Sequence, residues 1–417
     1  MAALSAIGYP VTTLLAGLGI GGLAFAFGAQ KTVENLFGSI SLAVDQPFRV
    51  GDFVKVEDFV GTVEEIGIRS TRFRTLDRTL ISIPNGNLSD QRLETFAVRD
   101  RMRLATTIGV DMGGTKMLVV RVENNDVIAQ TRHSVPEAPE ELSRTAIDAV
   151  RTLMSDDVEG IGVGVAGLVQ WPDGVFVWGP HVVGTRVPMR DEIEAELGVP
   201  VVVDNDANAG AWGELHLGAG RGYRDLLFIT LGTGIGGAIV LDGTIHRGLS
   251  FAGEWGHALY EPGGARCGCG KRGCWETAAS GPALIRLARA MLAQNPDGPL
   301  AHRLRDQELT GELITAAADA GDEPARGLVA QVGADLGRGL CNLIAIFDPE
   351  IVIVGGGLGS VGESLLGPAR RVAADALHGG SHRMLPPILV AGLGPAAGAV
   401  GAAMLAEDLV TGRLLMN

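Results

Sequence analysis

The stretch TIGVDMGGTKMLVVRV, residues 107–122, decides the fold of the larger part of this chain. Two apolar runs flank a short glycine-containing turn, and this pattern predicts two β-strands joined as a hairpin. The backbone N–H groups of the turn can face an anion, while Asp111 offers an oxygen ligand for Mg²⁺ and Lys116 a positive charge. The other interpretation is an ordinary glycine-rich hairpin with a lysine on its surface.

A second glycine-rich stretch, TLGTGIGG at residues 230–237, also joins two apolar runs. Its glycines match the pattern G-x-G-x-x-G, but a strand-like run follows instead of the helix that a dinucleotide site requires. No Walker A sequence occurs in the chain. Two such hairpins, one in each of two lobes, predict a nucleoside triphosphate held between them. The candidate nucleotide-binding residues are Asp111, Gly113, Gly114, Thr115, Lys116, Gly232, Thr233 and Gly234.

Strands and helices alternate along residues 105–417, which predicts an α/β architecture. The expected elements of the first half are strands at 107–110, 117–122, 160–165 and 199–203 and helices at 139–153 and 190–197. A second set begins at 226–230 and ends with a strand at 350–354 and a helix that starts near Gly398. We therefore expect two related lobes, 105–225 and 226–417, with a cleft between them.

The segment VDNDAN, residues 203–208, ends an apolar strand, where an aspartate can reach into the cleft. Phosphoryl transfer to an alcohol needs a carboxylate that accepts the hydroxyl proton, and Asp206 is the candidate general base. The alternative is that Asp204 or Asp206 caps a helix that starts near Ala207.

One loop carries an imidazole and three thiols: His257, Cys267, Cys269 and Cys274. These ligands make a tetrahedral set with no position left for water, which predicts a structural Zn²⁺ site; the alternative is a group of buried, unpaired thiols. Their spacing is too tight for a disulfide framework, and the low cysteine count favours a reducing compartment. Cys341, in an apolar run, is predicted to lie in the core.

Two carboxylates, Glu254 and Glu276, lie beside this loop. Held rigidly next to a cleft, they could accept hydrogen bonds from sugar hydroxyls; otherwise they are exposed surface residues.

Taken together, these segments resemble the ROK family of repressors and kinases over residues 106–407, and most closely its actinobacterial glucokinases. The resemblance implies an actin/hexokinase-like fold, a duplicated ribonuclease-H-like α/β architecture of two lobes. It implies that Asp206 activates the sugar 6-hydroxyl, that Mg²⁺-ATP is the donor, and that Gly356 borders the adenosine. It also implies that His257 serves both the sugar and the zinc, one ring nitrogen each. The implied glucose ligands are Gly167, Asn205, Asp206, Glu254, His257 and Glu276.

Composition limits the remaining function classes. The chain has 417 residues, 46% of them hydrophobic, and 61 glycines without a collagen-like period, so it is a folded protein of two to three domains. Residues 1–104 hold 11 basic and 11 acidic side chains, so the net charge of −14 belongs to residues 105–417. An acidic domain without a basic stripe is a poor candidate for binding nucleic acid.

The first thirty residues contain no charged side chain, and residues 11–29 are apolar or small nearly throughout. This pattern predicts a membrane-spanning helix, followed by an amphipathic extension to about residue 45. A buried helix of a soluble protein is one alternative. A signal peptide that is cleaved near residues 24–26 is another, although no basic segment precedes the apolar run.

Residues 46–104 change to short β-type runs, expected as strands at 52–57, 61–66, 71–76 and 79–83 of a small barrel or sandwich. Asn85-Gly86 offers residues that tolerate a positive φ in a turn. The motifs PFRVGD (47–52), GTV (61–63) and IPNGN (83–87) resemble small-conductance mechanosensitive channels over residues 5–103. The resemblance implies a pore-lining helix followed by the β-domain; the family's earlier membrane helices and later α/β cage are missing.

The leading hypothesis is an ATP-dependent glucokinase with one structural zinc. We expect a cytoplasmic kinase domain that forms homo-oligomers, with the N-terminal helix in the inner membrane. One alternative is a channel subunit whose ROK domain senses sugar. Another is a kinase for a different hexose, such as N-acetylmannosamine. For residues 1–104, a channel, a membrane tether and a fusion product all stay open.

Overall fold

The computed structural model describes residues 11–56, 59–75, 78–95, 105–304 and 308–414. The chain divides into two units, Met1–Met102 and Arg103–Asn417, which are described separately. The predicted domain boundary at residue 104 lies within 96–104, outside the described residues, and stays a prediction.

The first unit begins with one helix, α1 (Val11–Asp45), so the predicted apolar helix and its amphipathic extension are continuous. Large apolar side chains in its first half are 60–78% exposed: Leu18, Ile20, Leu23, Phe25 and Phe27. Across the described ranges, no helix has both the length and the hydropathy that crossing a membrane requires.

An antiparallel sheet follows α1, in the order β4-β3-β2-β1-β5. Its strands are β1 (Phe53–Val56), β2 (Phe59–Ile66), β3 (Ser70–Thr75), β4 (Leu80–Pro84) and β5 (Leu93–Thr95). Four strands match the prediction and β5 is additional. Alternate residues of β1–β3 point inward, and these side chains form a small core around Phe73 and Leu42 of α1.

The expected positive-φ turn at Asn85-Gly86 was wrong, because these residues begin a short helix, α2 (Asn85–Asp90). The Asn85 side chain is buried and accepts a hydrogen bond from the Thr71 hydroxyl at 2.8 Å. It donates to Ser39 of α1 and to the Gly67 carbonyl, both at 2.8 Å. These bonds hold the loop against α1 and remove the need for a left-handed turn.

The second unit contains two sheets of the same design. The first has the order β12-β9-β6-β7-β8 and the second the order β17-β16-β13-β14-β15. In each sheet, the first three strands named are parallel and the last two pairings are antiparallel. The predicted duplicated α/β fold is confirmed.

The first sheet is built from β6 (Thr106–Met112), β7 (Lys116–Glu123), β8 (Asp126–Ser134), β9 (Val158–Val165) and β12 (Val201–Asn205). A two-stranded ribbon, β10 (Leu168–Gln170) and β11 (Val175–Trp178), extends from it. The second sheet is built from β13 (Leu226–Leu231), β14 (Ile235–Leu241), β15 (Thr244–Ile245), β16 (Ile351–Gly355) and β17 (Ile388–Val390).

Two helices, α5 (Asp206–Leu217) and α12 (Ala397–Val410), pack against each other and against the first sheet. Glycines allow this close approach. A Cβ at Gly162 of β9 would lie 1.8 Å from the Ala402 carbonyl oxygen of α12, and one at Gly401 would lie 1.7 Å from that of Ala209 of α5. The C-terminal helix therefore completes the core of the first lobe, although it follows the second lobe in sequence.

The remaining helices are divided between the two lobes. The first lobe has α3 (Leu142–Arg151) and α4 (Met189–Leu197). The second has α6 (Gly281–Gln294), α7 (Pro299–Leu304), α8 (Gly311–Asp319), α9 (Glu323–Phe347), α10 (Gly356–Gly359) and α11 (Glu363–Ala376). Cys341 is buried in α9, as predicted.

Candidate active site

Two glycine hairpins occupy equivalent places in the two sheets. Residues 113–115 connect β6 to β7, and the Gly113 N–H donates to the Lys116 carbonyl at 3.1 Å. Residues 232–234 connect β13 to β14, and the Gly232 N–H donates to the Gly234 carbonyl at 3.0 Å. Because the lobes are duplicated, both turns open toward the space between the sheets.

A cleft of about 450 Å³ lies between the lobes. Every residue predicted to bind nucleotide or sugar lines it: Asp111, Gly113, Gly114, Thr115, Lys116, Gly167, Asn205, Asp206, Gly232, Thr233, Gly234, Glu254, His257, Glu276 and Gly356. Segments that are far apart in sequence thus form one site. The role of each residue within it stays a prediction.

Asp206 is the first residue of α5, directly after β12. The helix cap is Asn205 and neither of the two aspartates, because Asn205 Oδ1 accepts the N–H groups of Ala207 at 2.8 Å and Asn208 at 3.2 Å. Its amide group donates to the Gly167 carbonyl at 3.1 Å. Asp206 is therefore not needed as the cap and faces the cleft.

Three cleft carboxyl groups have raised pKa values. Burial raises the pKa of Asp206 to about 6, with a smaller contribution from the charge of Asp204. Burial and then the charge of Asp206 raise the pKa of Asp111 to about 7. Burial followed by the charges of Asp206 and Glu276 raises the pKa of Glu254 to about 7. These pKa values lie close to pH 7, where a carboxyl group can act as a general base or bind a cation.

Asp111 lies against the first turn of α12. A Cβ at Gly398 would lie 2.7 Å from its carboxylate, so glycine at that position leaves room for the acid. A buried carboxylate that is costly to ionise alone gains from a cation, and oxygen is the ligand atom that Mg²⁺ prefers. The residue therefore fits the predicted magnesium role.

The four predicted zinc ligands form one cluster, with all their ligand atoms within 4.8 Å of one another. The Cys269 and Cys274 sulfurs are 3.7 Å apart, and Cys267 Sγ lies 3.5 Å from His257 Nδ1. Ligands of a tetrahedral zinc with bonds of about 2.3 Å to sulfur and 2.0 Å to nitrogen lie about 3.5–3.8 Å apart. All four cysteines are free thiols. The donor set and its spacing fit Zn²⁺.

Glu276 connects this cluster to the second hairpin. Its Oε1 accepts a hydrogen bond from Cys267 at 2.8 Å and lies 3.6 Å from His257 Nδ1. Its Oε2 would lie 2.6 Å from a Cβ at Gly234. Since His257 turns Nδ1 toward the thiols, its other ring nitrogen is left for a ligand, in keeping with the predicted double role.

Sequence reasoning missed several cleft residues. His181 lines the cleft beside Gly114, whose Cβ position is 2.6 Å from that of His181, and Phe228 and Gly210 line it as well. Gly394, Pro395, Ala397 and Gly398 also contribute to the wall. The only signal in the sequence was the glycine-rich start of the last helix; nothing local placed His181.

The third glycine of the G-x-G-x-x-G match has a different role. A Cβ at Gly237 would lie 2.0 Å from the indole of Trp255, so this glycine makes room for a core side chain. The tryptophan lies in the short 3₁₀ turn Trp255–His257, which carries the predicted zinc ligand His257. The absence of a side chain at Gly237 therefore allows Trp255 to pack in the core next to the turn that carries His257.

The duplicated lobes and the cleft define an actin/hexokinase-like fold. The chain belongs to the ROK family, whose sequence model matches residues 107–409. The glucokinase of Streptomyces coelicolor is 37% identical over 314 residues, which are 73% of this chain and 98% of that protein. The crystal structure of a ROK family glucokinase from Streptomyces griseus in complex with glucose and AMPPNP matches with a TM-score of 0.69 and 39% identity, covering 73% of this chain and 100% of the other.

The first unit is similar to mechanosensitive channels, as its motifs indicated. Residues 1–30 match the model of transmembrane helices 2/3 of the mechanosensitive ion channel, and residues 31–94 match that of its β-domain. The small-conductance mechanosensitive channel MscMJ of Methanocaldococcus jannaschii is 54% identical over 110 residues, which are 26% of this chain. The match spans 31% of that channel.

Proposed function

We propose that this chain is a sugar kinase that transfers the γ-phosphoryl group of ATP to the 6-hydroxyl of glucose. The observation that carries the proposal is the position of Asp206. It lies at the start of α5 in a cleft that both glycine hairpins also line. The Streptomyces glucokinases that resemble this chain support glucose and ATP as the substrates.

In the proposed reaction, the sugar 6-oxygen attacks the γ-phosphorus, ADP leaves, and the hydroxyl proton passes to the Asp206 carboxylate. General-base catalysis of this kind contributes about 10²–10⁴-fold, and positioning and charge neutralisation supply the rest. The N–H groups of the two hairpins and the Lys116 ammonium hold the phosphates. Asp111 would hold Mg²⁺ or its waters, and the bound ion would supply charge neutralisation for the transferred group.

In this proposal, polar side chains of the same cleft hold the sugar. Asn205, Glu254, His257 and Glu276 provide acceptors and donors for hydroxyls, and each lines the cleft. His257 and the three cysteines would hold zinc, which would fix the loop that carries His257 and Glu276. Gly356, with a φ of +80°, also lines the cleft, and we expect it to border the adenosine.

The proposal is tested by product analysis on the purified full chain. With glucose, ATP and Mg²⁺ we expect stoichiometric glucose 6-phosphate and ADP, measured by ³¹P NMR. Mannose and N-acetylmannosamine, tested in parallel, identify the preferred hexose by kcat/KM. Turnover of N-acetylmannosamine above glucose would replace the substrate, and the lack of phosphorylation of every hexose would contradict the proposed activity.

A second candidate function rests on the first unit. Its similarity to mechanosensitive channels over residues 1–94 favours a membrane-bound chain, in which the kinase is tethered or the ROK domain senses sugar for a channel. Patch-clamp recording of the reconstituted full chain, with and without glucose, separates these two roles. Tension-activated current supports the channel, and its absence together with membrane binding supports the tether.

A further inference from the structure

Arg247 and Asp204 form a buried ion pair between the two lobes. Asp204 lies on β12 of the first lobe, and Arg247 follows β15 of the second. The guanidinium Nε and Nη2 lie 2.9 and 2.7 Å from the same carboxylate oxygen, Oδ2. Their side chains are 11% and 2% exposed, so each charge depends on the other for compensation.

The plane of the Arg247 guanidinium is also held by an aromatic ring. Its central carbon lies 3.7 Å from the centroid of the Trp171 ring. The backbone N–H of Trp171 donates to the Ser250 hydroxyl at 3.1 Å, and Ser250 lies in the same loop as Arg247. The planar guanidinium of arginine can pair with a carboxylate and stack on an aromatic ring at the same time. The compact ammonium of lysine does not provide this geometry.

The second oxygen of Asp204 holds the backbone that carries the proposed base. Oδ1 accepts the N–H of Asn205 at 2.7 Å and the side-chain amide of Asn208 at 2.9 Å. Asn205 is the cap of α5, and Asp206 is the next residue. A chain of direct contacts thus runs from Arg247 through Asp204 to the residue before Asp206.

We infer that Arg247 is a positioning residue for Asp206, because it fixes the capped turn through Asp204 and neutralises the carboxylate charge beside the base. This inference rests on the proposed function. Arg247 does not line the cleft, so it acts through Asp204 and touches neither substrate.

The charge environment of Asp206 gives the inference a specific signature. Asp111 on β6, Asp204 on β12 and Glu254 after β15 are the charged groups that interact with it. The helix α12, packed along α5, carries Glu407 and Asp408 near its C-terminal end, where Arg413 pairs with both. Without Arg247, the charge of Asp204 beside the base has no cation to compensate it, which makes Asp206 harder to ionise.

The test compares full-chain variants in glucose phosphorylation. Arg247→Met should lower kcat about 10–100-fold by misplacing the base. It should also move the acid limb of the kcat/KM profile up by about one pH unit. Adding Asp204→Asn removes the second charge, and the limb should return toward its wild-type position while kcat stays low. A fall in kcat and melting temperature with an unmoved limb would reduce Arg247 to a structural role and overturn the inference.

Arg247→Lys keeps the charge and loses the planar fork, so kcat should fall while the limb stays in place. This variant also carries the test if Arg247→Met does not fold, because wild-type kcat in Arg247→Lys would overturn the inference. Arg151→Met, which breaks an exposed pair with Glu196, is the matched control and should change neither quantity. A wild-type chain without kinase activity refutes the proposed function instead.

Discussion

One cleft contains three carboxyl groups with pKa values of about 6 to 7: Asp206, Asp111 and Glu254. Each pKa is raised mainly by burial, and each charge makes the next harder to form. The candidate residues were readable from the sequence, because each carboxyl group lies in or beside a motif that flanks the predicted cleft. The pKa values were not readable, since they depend on burial by both lobes.

The first prediction concerns pH. Because Asp206 must be ionised to accept a proton and has a pKa of about 6, kcat/KM for glucose should fall as the pH drops below about 6. Protonation of Asp111, with a pKa of about 7, should add to the loss, and higher Mg²⁺ should oppose it. Initial rates from about pH 5 to pH 8.5 measure this. A flat profile down to pH 5 would remove Asp206 as the base.

The same shifts determine how stability depends on pH in the protein without ligands. The carboxyl groups of Asp111 and Asp206 bind protons more tightly in the folded chain than in the unfolded chain, where aspartates have a pKa near 3.8. The free energy of unfolding should therefore rise as the pH falls from about 7, until other groups titrate. Thermal unfolding, measured over the same pH range as the rates, checks this expectation.

At the level of elements, the hairpins and main strands of the second unit were predictable, because their apolar runs are long and end at glycine turns. β8 and the β10–β11 ribbon were not predicted. β8 lies at a sheet edge with mixed polar and apolar residues, so its sequence lacks a clear period. Asn85 was misread because its hydrogen bonds to α1 and β3 come from distant parts of the chain.

The residues predicted to bind nucleotide or sugar all line one cleft, because each belongs to a local motif; their roles stay predictions. His181 and the residues around the start of α12 reach the cleft only through the packing of distant segments, and no local spacing reports such packing.

The zinc loop provides a prediction at this scale. Cys269→Ser should weaken metal binding and raise the KM for glucose about tenfold or more, because the loop also carries Glu276 and His257. Metal content and steady-state kinetics are the measurements. Cys341→Ala, which changes a buried thiol in α9, is the control and should leave both unchanged. An unaltered KM in metal-depleted Cys269→Ser would separate the loop from sugar binding.

The packing of α12 on the first sheet gives a second prediction at the scale of elements. Gly162→Ala should destabilise the protein by about 1–3 kcal/mol or more, because the new Cβ would meet the Ala402 carbonyl oxygen at 1.8 Å. Gly327→Ala in α9 meets nothing within 4 Å and should stabilise by about 0.5–1 kcal/mol. Denaturant unfolding measures both. Equal effects of the two substitutions would contradict the described packing of α12.

For the whole molecule, two units that match different protein families lie in one chain. The glycine surplus is divided between them, with Gly19, Gly21, Gly22 and Gly28 on α1 and the hairpin glycines in the kinase-like unit. The net charge of −14 belongs to residues 105–417. We therefore expect phosphates to be held by local backbone N–H groups and Lys116, and not by an overall positive field.

The tether hypothesis predicts that the full chain floats with phospholipid vesicles in a density gradient. The exposed apolar side chains in the first half of α1 would drive this binding, because water is excluded from them at the lipid surface. Phe25→Glu with Phe27→Glu should abolish flotation. Recovery of the wild-type chain in the dense, lipid-free fraction would contradict the tether.

The most direct test of the central claim, that Asp206 is the base of a two-lobed sugar kinase, is the kcat of Asp206→Asn in the full chain. We predict a fall of about 10²–10⁴-fold, with the Kd for glucose and for a non-hydrolysable ATP analogue changed by less than about threefold. Asp242→Asn, whose side chain is 86% exposed, should match the wild type. Retention by Asp206→Asn of more than about a tenth of the wild-type kcat would contradict the account.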